Sequence, residues 1–139
     1  MNEITMQNKA IVARFNRECI EQGNAQSFKE LLAGNVVNHA APAGMPNGAE
    51  SFTYFLNDVL RKGFPDLKVD IQEQVAENDI VTTRKTITAT HTGEIFGIPP
   101  THKKVEINVI DMIRLQNGQY AEHWGQSNFA DIITQLSSK

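Results

Sequence analysis

Four histidines, sixteen acids and one cysteine are the side chains of this 139-residue chain best suited to moving protons, binding metal or acting as nucleophiles. His91 stands in the most unusual setting. The run THTGEIFGIPPTHKKV, residues 90–105, reads as a strand ending at His91, a rigid turn through Gly93, Gly97, Pro99 and Pro100, and then renewed alternation. Within TITATHTG, Ile87, Ala89 and His91 alternate with threonines, so His91 belongs to the apolar side of its strand. That placement fits a core histidine satisfied by a backbone carbonyl. It equally fits an imidazole that exchanges a hydrogen bond or a proton with a ligand.

Asp111 and Glu122 are the candidate acid/base carboxylates. Asn117-Gly118 marks a two-residue hairpin turn, because both residues tolerate positive φ. A regular ladder from that turn pairs Gln116 with Gln119, Ile113 with Glu122 and Asp111 with Trp124, and paired residues share a face. Val109, Asp111, Ile113, Glu122, Trp124 and Asn128 then form one face, with Met112, Arg114, Ala121 and His123 on the other. A bulge near Gly125 would displace Asn128 alone among these. Two acids beside a tryptophan and aliphatics suit a pocket with a few convergent polar groups. Burial would raise the pKa of Asp111 unless His91 or Arg114 supplied positive charge. The structural alternative is Glu122 bridged to an arginine and Asp111 hydrogen-bonded within the sheet.

Asn38 and His39 head a loop rich in Pro, Gly and Asn, the kind of loop that carries function at a cavity mouth, although His39 suits a plain surface position as well. His102 and His123 are expected to face solvent or an interface. No histidine pair has metal-ligand spacing, and no metal is expected. Glycine-rich phosphate loops, GxGxxG and GxSxG are missing from the sequence. Cys19 follows Ile11 and Phe15 at helical spacing and reads as a buried, inert thiol.

The elements that position these residues follow from periodicity. Apolar residues from Ile4 to Ile20 return at helical intervals and end at Gly23-Asn24; Phe28, Leu31 and Leu32 mark a short second helix stopping at Gly34. Phe52, Phe55, Leu56, Val59 and Leu60 form the buried side of a third, ended by Gly63-Phe64-Pro65. Residues 67–128 read as consecutive antiparallel strands rich in Thr, Ile and Val. FADIITQL closes the chain as a helix. Helices first and strands after indicate one α+β domain over residues 1–139, its N-terminal helices lying on one face of a curved antiparallel sheet and enclosing a pocket.

Composition narrows the class. Hydrophobic residues at 40% and charged residues at 21% are globular values, and a net charge of −3 argues against a nucleic-acid partner. No apolar run is long enough for a membrane span, and residues 1–15 lack a basic start followed by an apolar block, so a cytoplasmic location is expected. The expected partner is a small molecule.

Three segments, FPDLKVDIQEQVAENDIV, NHAAPAGMPNG and the run from Thr90 to Leu136, together resemble the SnoaL-like polyketide cyclases, also called predicted ester cyclases, of the NTF2-like superfamily. The most specific piece is His-x-Gly-x-x-x-Gly-Ile-Pro-Pro-Thr from His91 to Thr101, followed by the Asn-Gly hairpin and Glu122-His123-Trp124. The resemblance implies an NTF2-like cone with a pocket between sheet and helices, a homodimer through the outer sheet face, and no cofactor. It also implies aldol-type ring closure with an Asp as acid/base. The family's loop Asn falls on Asn38 and its strand His on His91, and both match. Its substrate-facing His falls on Asp111, a Gln on Val109 and the catalytic Asp on Gly125, and none of these match.

Two readings follow. In the first, a cofactor-independent enzyme acts on a small apolar carbonyl compound by cyclisation or isomerisation. Asp111 and His91 are catalytic, and Asn38, His39, Glu122, Trp124 and Asn128 bind the substrate. In the second, the loss of the acid at Gly125 leaves a non-catalytic small-ligand-binding dimer.

Overall fold

The computed structural model describes residues 3–138. Helix α1, Glu3–Phe15, widens into a π-helical segment at Asn16–Glu21, and α2 follows at Ala25–Leu31. Strand β1, Leu32–Asn38, leads through a loop to α3, which begins at Ala49–Thr53 and continues as a π-helical stretch, Tyr54–Leu60, and a last turn, Arg61–Gly63. Strands β2 (Lys68–Glu77), β3 (Ile80–Thr90), β4 (Lys104–Gln116) and β5 (Gln119–Ser127) come next, and α4 spans Phe129–Ser137. The sheet order is β1-β5-β4-β3-β2, antiparallel except for the parallel β1–β5 edge. No helix among the described residues is long and apolar enough to cross a membrane. The α+β architecture expected from the sequence, helices laid on one face of a curved, unclosed sheet, is what the chain adopts.

The helices cover the inner face, where Val81, Ile87, Ile107, Ile113 and Leu115 meet Val12, Phe15, Phe28, Phe52 and Leu60. Burying such side chains contributes on the order of 2 kcal/mol each. Phe15 stacks on Tyr120 at 4.3 Å and tethers α1 to β5. Arg61 donates from Nη1 to the carbonyls of Cys19 and Ile20, at 2.7 and 2.9 Å, satisfying acceptors freed where the first helix ends. Cys19 is buried as expected, its thiol pushed up to about 12 by desolvation.

Two details depart from the sequence reading. The second helix stops at Leu31, so Leu32 already belongs to β1. More consequentially, the β4–β5 ladder is irregular. Gln116 pairs with Gln119 across Asn117 (φ 53) and Gly118 (φ 76), as the turn signal requires. Leu115 then pairs with Tyr120 but Arg114 with Glu122, which leaves Ala121 as a bulge. Every residue beyond it changes face relative to a regular ladder. Asp111 therefore pairs with Gly125, Ile113 with His123 and Met112 with Trp124.

Candidate active site

The bulge at Ala121 decides which side chains meet Asp111. Glu122 and Trp124, expected beside it, lie on the outer face with Arg114 and Met112. His123, expected to point away, lies on the inner face. Trp124 stacks on His39 at 4.7 Å and 8°, and Glu122 accepts from His39 Nε2 at 2.9 Å and from Arg114 Nε at 2.8 Å. The Glu122 carboxyl is held below its ordinary range by those two partners. His39, Glu122 and Trp124 thus form one half-exposed cluster on the sheet's outer side, apart from Asp111. Asn128 ties strand ends together: its Oδ1 accepts from Asn108 N at 2.8 Å and its Nδ2 donates to Glu106 O at 3.3 Å.

His91 is fully buried beyond the end of β3. Thr101 N donates to its Nδ1 at 3.2 Å and the Thr101 hydroxyl lies 2.9 Å away, so Nδ1 is the acceptor and the proton sits on Nε2. Nε2 has no hydrogen-bond partner, and Phe64 is the neighbouring ring at 5.8 Å. Desolvation lowers its pKa and keeps it neutral. Backbone bonds from His91 N to Lys103 O and from His102 N to His91 O, both 2.9 Å, make it the clasp of the 91–103 loop. From Thr83, the cross-strand partner of Asp111, to His91 is roughly 25 Å of strand. The structure does not bring His91 and Asp111 together.

What surrounds Asp111 instead is a connected polar chain. Lys85 is 4% exposed, and its Nζ donates to Asp111 Oδ2 at 3.1 Å and to Asn16 Oδ1 at 2.6 Å. Asn16 begins the π-helical segment and anchors itself through Nδ2 to Val12 O at 2.8 Å. On the other side, His123 Nε2 lies 3.8 Å from Asp111 Oδ2, and its Nδ1 lies 2.8 Å from Asn38 Oδ1. Burial alone would push the Asp111 carboxyl up, but the Lys85 ammonium and then His123 more than offset it, holding the group below its ordinary value. Asp111 is an anion at neutral pH.

The surroundings of Asn38 fix the histidine tautomer. Asn38 Oδ1 accepts from Ala40 N at 3.0 Å while Nδ2 donates to Ser51 Oγ at 3.1 Å, and Ser51 passes its own proton to Gly48 O at 2.6 Å. With the amide locked that way, Oδ1 can only accept, so His123 Nδ1 must donate. Nε2 is then the nitrogen left free of that bond, and it faces the Asp111 carboxylate. Gly125 completes the arrangement. A Cβ there would come within 3.2 Å of His123 Cε1 and 3.6 Å of Asp111 Cβ, so a larger side chain would crowd the imidazole.

Phe52 meets His123 edge to face at 5.4 Å, and Phe55, Phe129 and Phe96 meet one another in sequence at 5.3 and 6.3 Å. These rings come from α3, α4 and the 91–103 loop. Phe96 is held at φ 47 in a two-residue turn closed by reciprocal Ile95–Ile98 backbone bonds, and 60% of its surface is exposed. Open depressions of about 510 and 620 Å³ lie elsewhere, one on the outer sheet face around Arg84, Asn108 and Ile110, the other between α1 and β2. Neither includes Asp111 or His123.

Sequence reasoning missed Lys85, Asn16 and His123. Lys85 was within reach: the alternation that places Ile87, Ala89 and His91 on the apolar side extends back to Lys85 and Thr83. Asn16 and His123 depend on a π-helical turn and a bulge, which leave no comparable local signal.

Comparison with known proteins converges on one group. A family model described as SnoaL-like polyketide cyclase matches residues 10–136. Among solved structures, a SnoaL-like polyketide cyclase, provisionally so described, from Jannaschia sp. CCS1 is 25% identical, with 100% of this chain and 97% of that chain covered and a TM-score of 0.85. IdmH of Streptomyces antibioticus, provisionally a polyketide cyclase, is 28% identical over 95% of this chain and 99% of its own, TM-score 0.80. AclR of Streptomyces galilaeus, provisionally a hydroxylase, is 23% identical over 95% and 82%, TM-score 0.82, a likeness of fold. No curated protein matches the sequence.

Proposed function

Because the chain belongs to the SnoaL-like polyketide cyclase family, we propose that it is a cofactor-independent acid/base enzyme acting on a small, largely apolar carbonyl compound, with His123 and Asp111 as its proton-transfer pair. The observation that carries this reading is the Asn38-fixed tautomer, which presents the basic Nε2 of His123 to a buried carboxylate. The pair takes a proton from the carbon beside the substrate carbonyl, holding it between Nε2 and the Asp111 carboxylate, and the electron pair moves onto oxygen as an enolate. Asp111 stabilises the imidazolium. For cyclisation, the enolate carbon bonds to a second carbonyl carbon, and the resulting alkoxide takes the proton back. For isomerisation, the proton returns at another carbon. The resemblance puts the family's acid/base Asp at Gly125, beside the space that the His123 ring fills here. In this reading, the acid and the imidazole have exchanged strands. His91 serves the loop rather than the chemistry.

The test is to incubate the protein, Asp111→Asn and His123→Gln with small-molecule extract of the source cells and follow consumed and retained compounds by mass spectrometry. We expect a compound consumed by the parent and consumed at least ~100-fold more slowly by either variant. Equal consumption by all three removes the pair from the mechanism.

A second reading has its own support. Lys85 neutralises Asp111 inside a packed interior, an arrangement that a purely structural ion pair would share. The protein is then a ligand-binding module, and the same experiment shows a compound retained unchanged by parent and variants alike. Under either reading we propose a homodimer through the outer sheet face. Val75, Met112 and Trp124 lie in register there, with Val75 67% and Met112 41% exposed and Ile110, in the next row, 53% exposed.

A further inference from the structure

Two buried oxygen atoms on the inner face have no partner: Asp111 Oδ1 and Thr83 Oγ1. Thr83 is fully buried and Asp111 is 6% exposed. The two residues are direct cross-strand partners on β3 and β4, so their Cβ atoms are roughly 5 Å apart and their side chains stand side by side. The neighbouring carboxylate oxygen, Oδ2, is already engaged by Lys85. An orphaned buried oxygen is costly, and two adjacent ones, one of them on a carboxylate, mark a place built to receive something polar.

The chemistry of the pair specifies the guest. A carboxylate oxygen only accepts, so whatever faces Oδ1 must donate. A threonine hydroxyl can donate or accept, so the same guest atom can accept from Oγ1 while donating to Oδ1. A carbonyl oxygen cannot do this, because it would face the carboxylate with a lone pair. An ammonium would set a second positive charge beside Lys85 and leave the Thr83 proton without an acceptor. A single O–H group, whose oxygen both gives and takes a hydrogen bond, satisfies both atoms.

We propose that Thr83 and Asp111 form a subsite on the inner face of the sheet for one hydroxyl-sized oxygen, supplied either by a water molecule or by a hydroxyl of the substrate. Its use in turnover rests on the acid/base reading above; its occupancy does not. The subsite gives Asp111 three separate tasks: Oδ2 meets Lys85 and the imidazole, and Oδ1 holds the oxygen. A substrate that reaches it carries an alcohol, phenol or enol group.

Crystals of the parent test occupancy directly. We expect an ordered oxygen within about 3.2 Å of both Oδ1 and Oγ1. In crystals soaked with phenol, a phenol oxygen at that point identifies a substrate-hydroxyl site, and an undisturbed water identifies a structural one. A parent structure in which the Thr83 hydroxyl donates straight to Asp111 with no oxygen between them overturns the proposal. Thermal unfolding gives an independent check that needs no turnover. Thr83→Val removes one partner of the bound oxygen while keeping shape, and should lower Tm by about 3 °C, whereas Thr83→Ser should keep both the oxygen and most of the Tm. If nothing is bound, deleting an orphaned hydroxyl relieves its desolvation, and a Thr83→Val Tm equal to or above the parent's overturns the proposal as well.

Discussion

At the scale of single residues, the interior is governed by one buried cation. Among the described residues, Lys85 is the one lysine or arginine paired with Asp111, and both its hydrogen bonds run to polar atoms that are themselves buried. Removing one member of such a pair strands the other. Lys85→Met should therefore cost about 3–5 kcal/mol in urea unfolding, and the double variant Lys85→Met/Asp111→Leu should recover most of it. His91 makes a separate prediction. Its folded-state pKa is depressed by burial, so below the ordinary value near 6.5 the unfolded chain takes up a proton that the folded chain resists. Stability is full above that value and declines as pH falls below it, toward the depressed folded-state pKa. Thermal unfolding between pH 7.5 and 5 should show this decline, and His91→Asn, which keeps an acceptor for Thr101 N, should flatten it. Asp111 acts in a lower window: with a depressed folded-state pKa, its contribution is present above the ordinary carboxylate value and is lost as pH falls through the folded one.

At the scale of elements, the 91–103 loop carries the most conspicuous conflict between stability and use. A phenylalanine at φ 47 is disfavoured by its Cβ, and here the ring is mostly exposed, so burial does not compensate. Phe96→Asn should raise stability by about 0.5–1 kcal/mol, since Asn tolerates the left-handed region. If the ring borders the approach to His123, the same variant should raise KM for the substrate with little change in kcat. Chemical unfolding and steady-state kinetics measure the two effects separately. The loop's other end is held by close packing at Gly93, where a Cβ would fall 1.9 Å from Lys62 O. The turn that the glycines and prolines suggest is closed by the Ile95–Ile98 backbone bonds, and its buried histidine bonds Thr101 across it.

For the whole molecule, the inner and outer sheet faces have different tasks. The inner face is closed by helices. The outer one leaves Val75, Ile110 and Met112 exposed, the apolar surface on which the proposed dimer rests. Met112→Lys combined with Ile110→Lys should leave the circular dichroism unchanged and convert a dimer into a monomer in sedimentation. A parent protein that sediments as a monomer removes the proposed interface. The His39–Trp124 stack and the Glu122–Arg114–Asp79 ion pairs border this same face, so a partner docked as proposed would meet them.

The sequence by itself determined the element order, the hairpin at Asn117-Gly118, the burial of Cys19 and the α+β class, because each rests on periodicity or local backbone preference. It also singled out Asp111 and Asn38, which the structure joins through His123. Only the tertiary structure decided which side chains stand beside them. A one-residue bulge at Ala121 reverses the faces of Glu122, His123 and Trp124, since side chains alternate with period two and one extra residue inverts all that follow. Alternation places Lys85 on the face of Asp111, but its contact with Asn16 was hidden for the same kind of reason. Lys85 and Asn16 are 69 residues apart in sequence, and a π-helical turn brings them together across the core. Alternation places a side chain on a face; what it meets there depends on how distant segments pack.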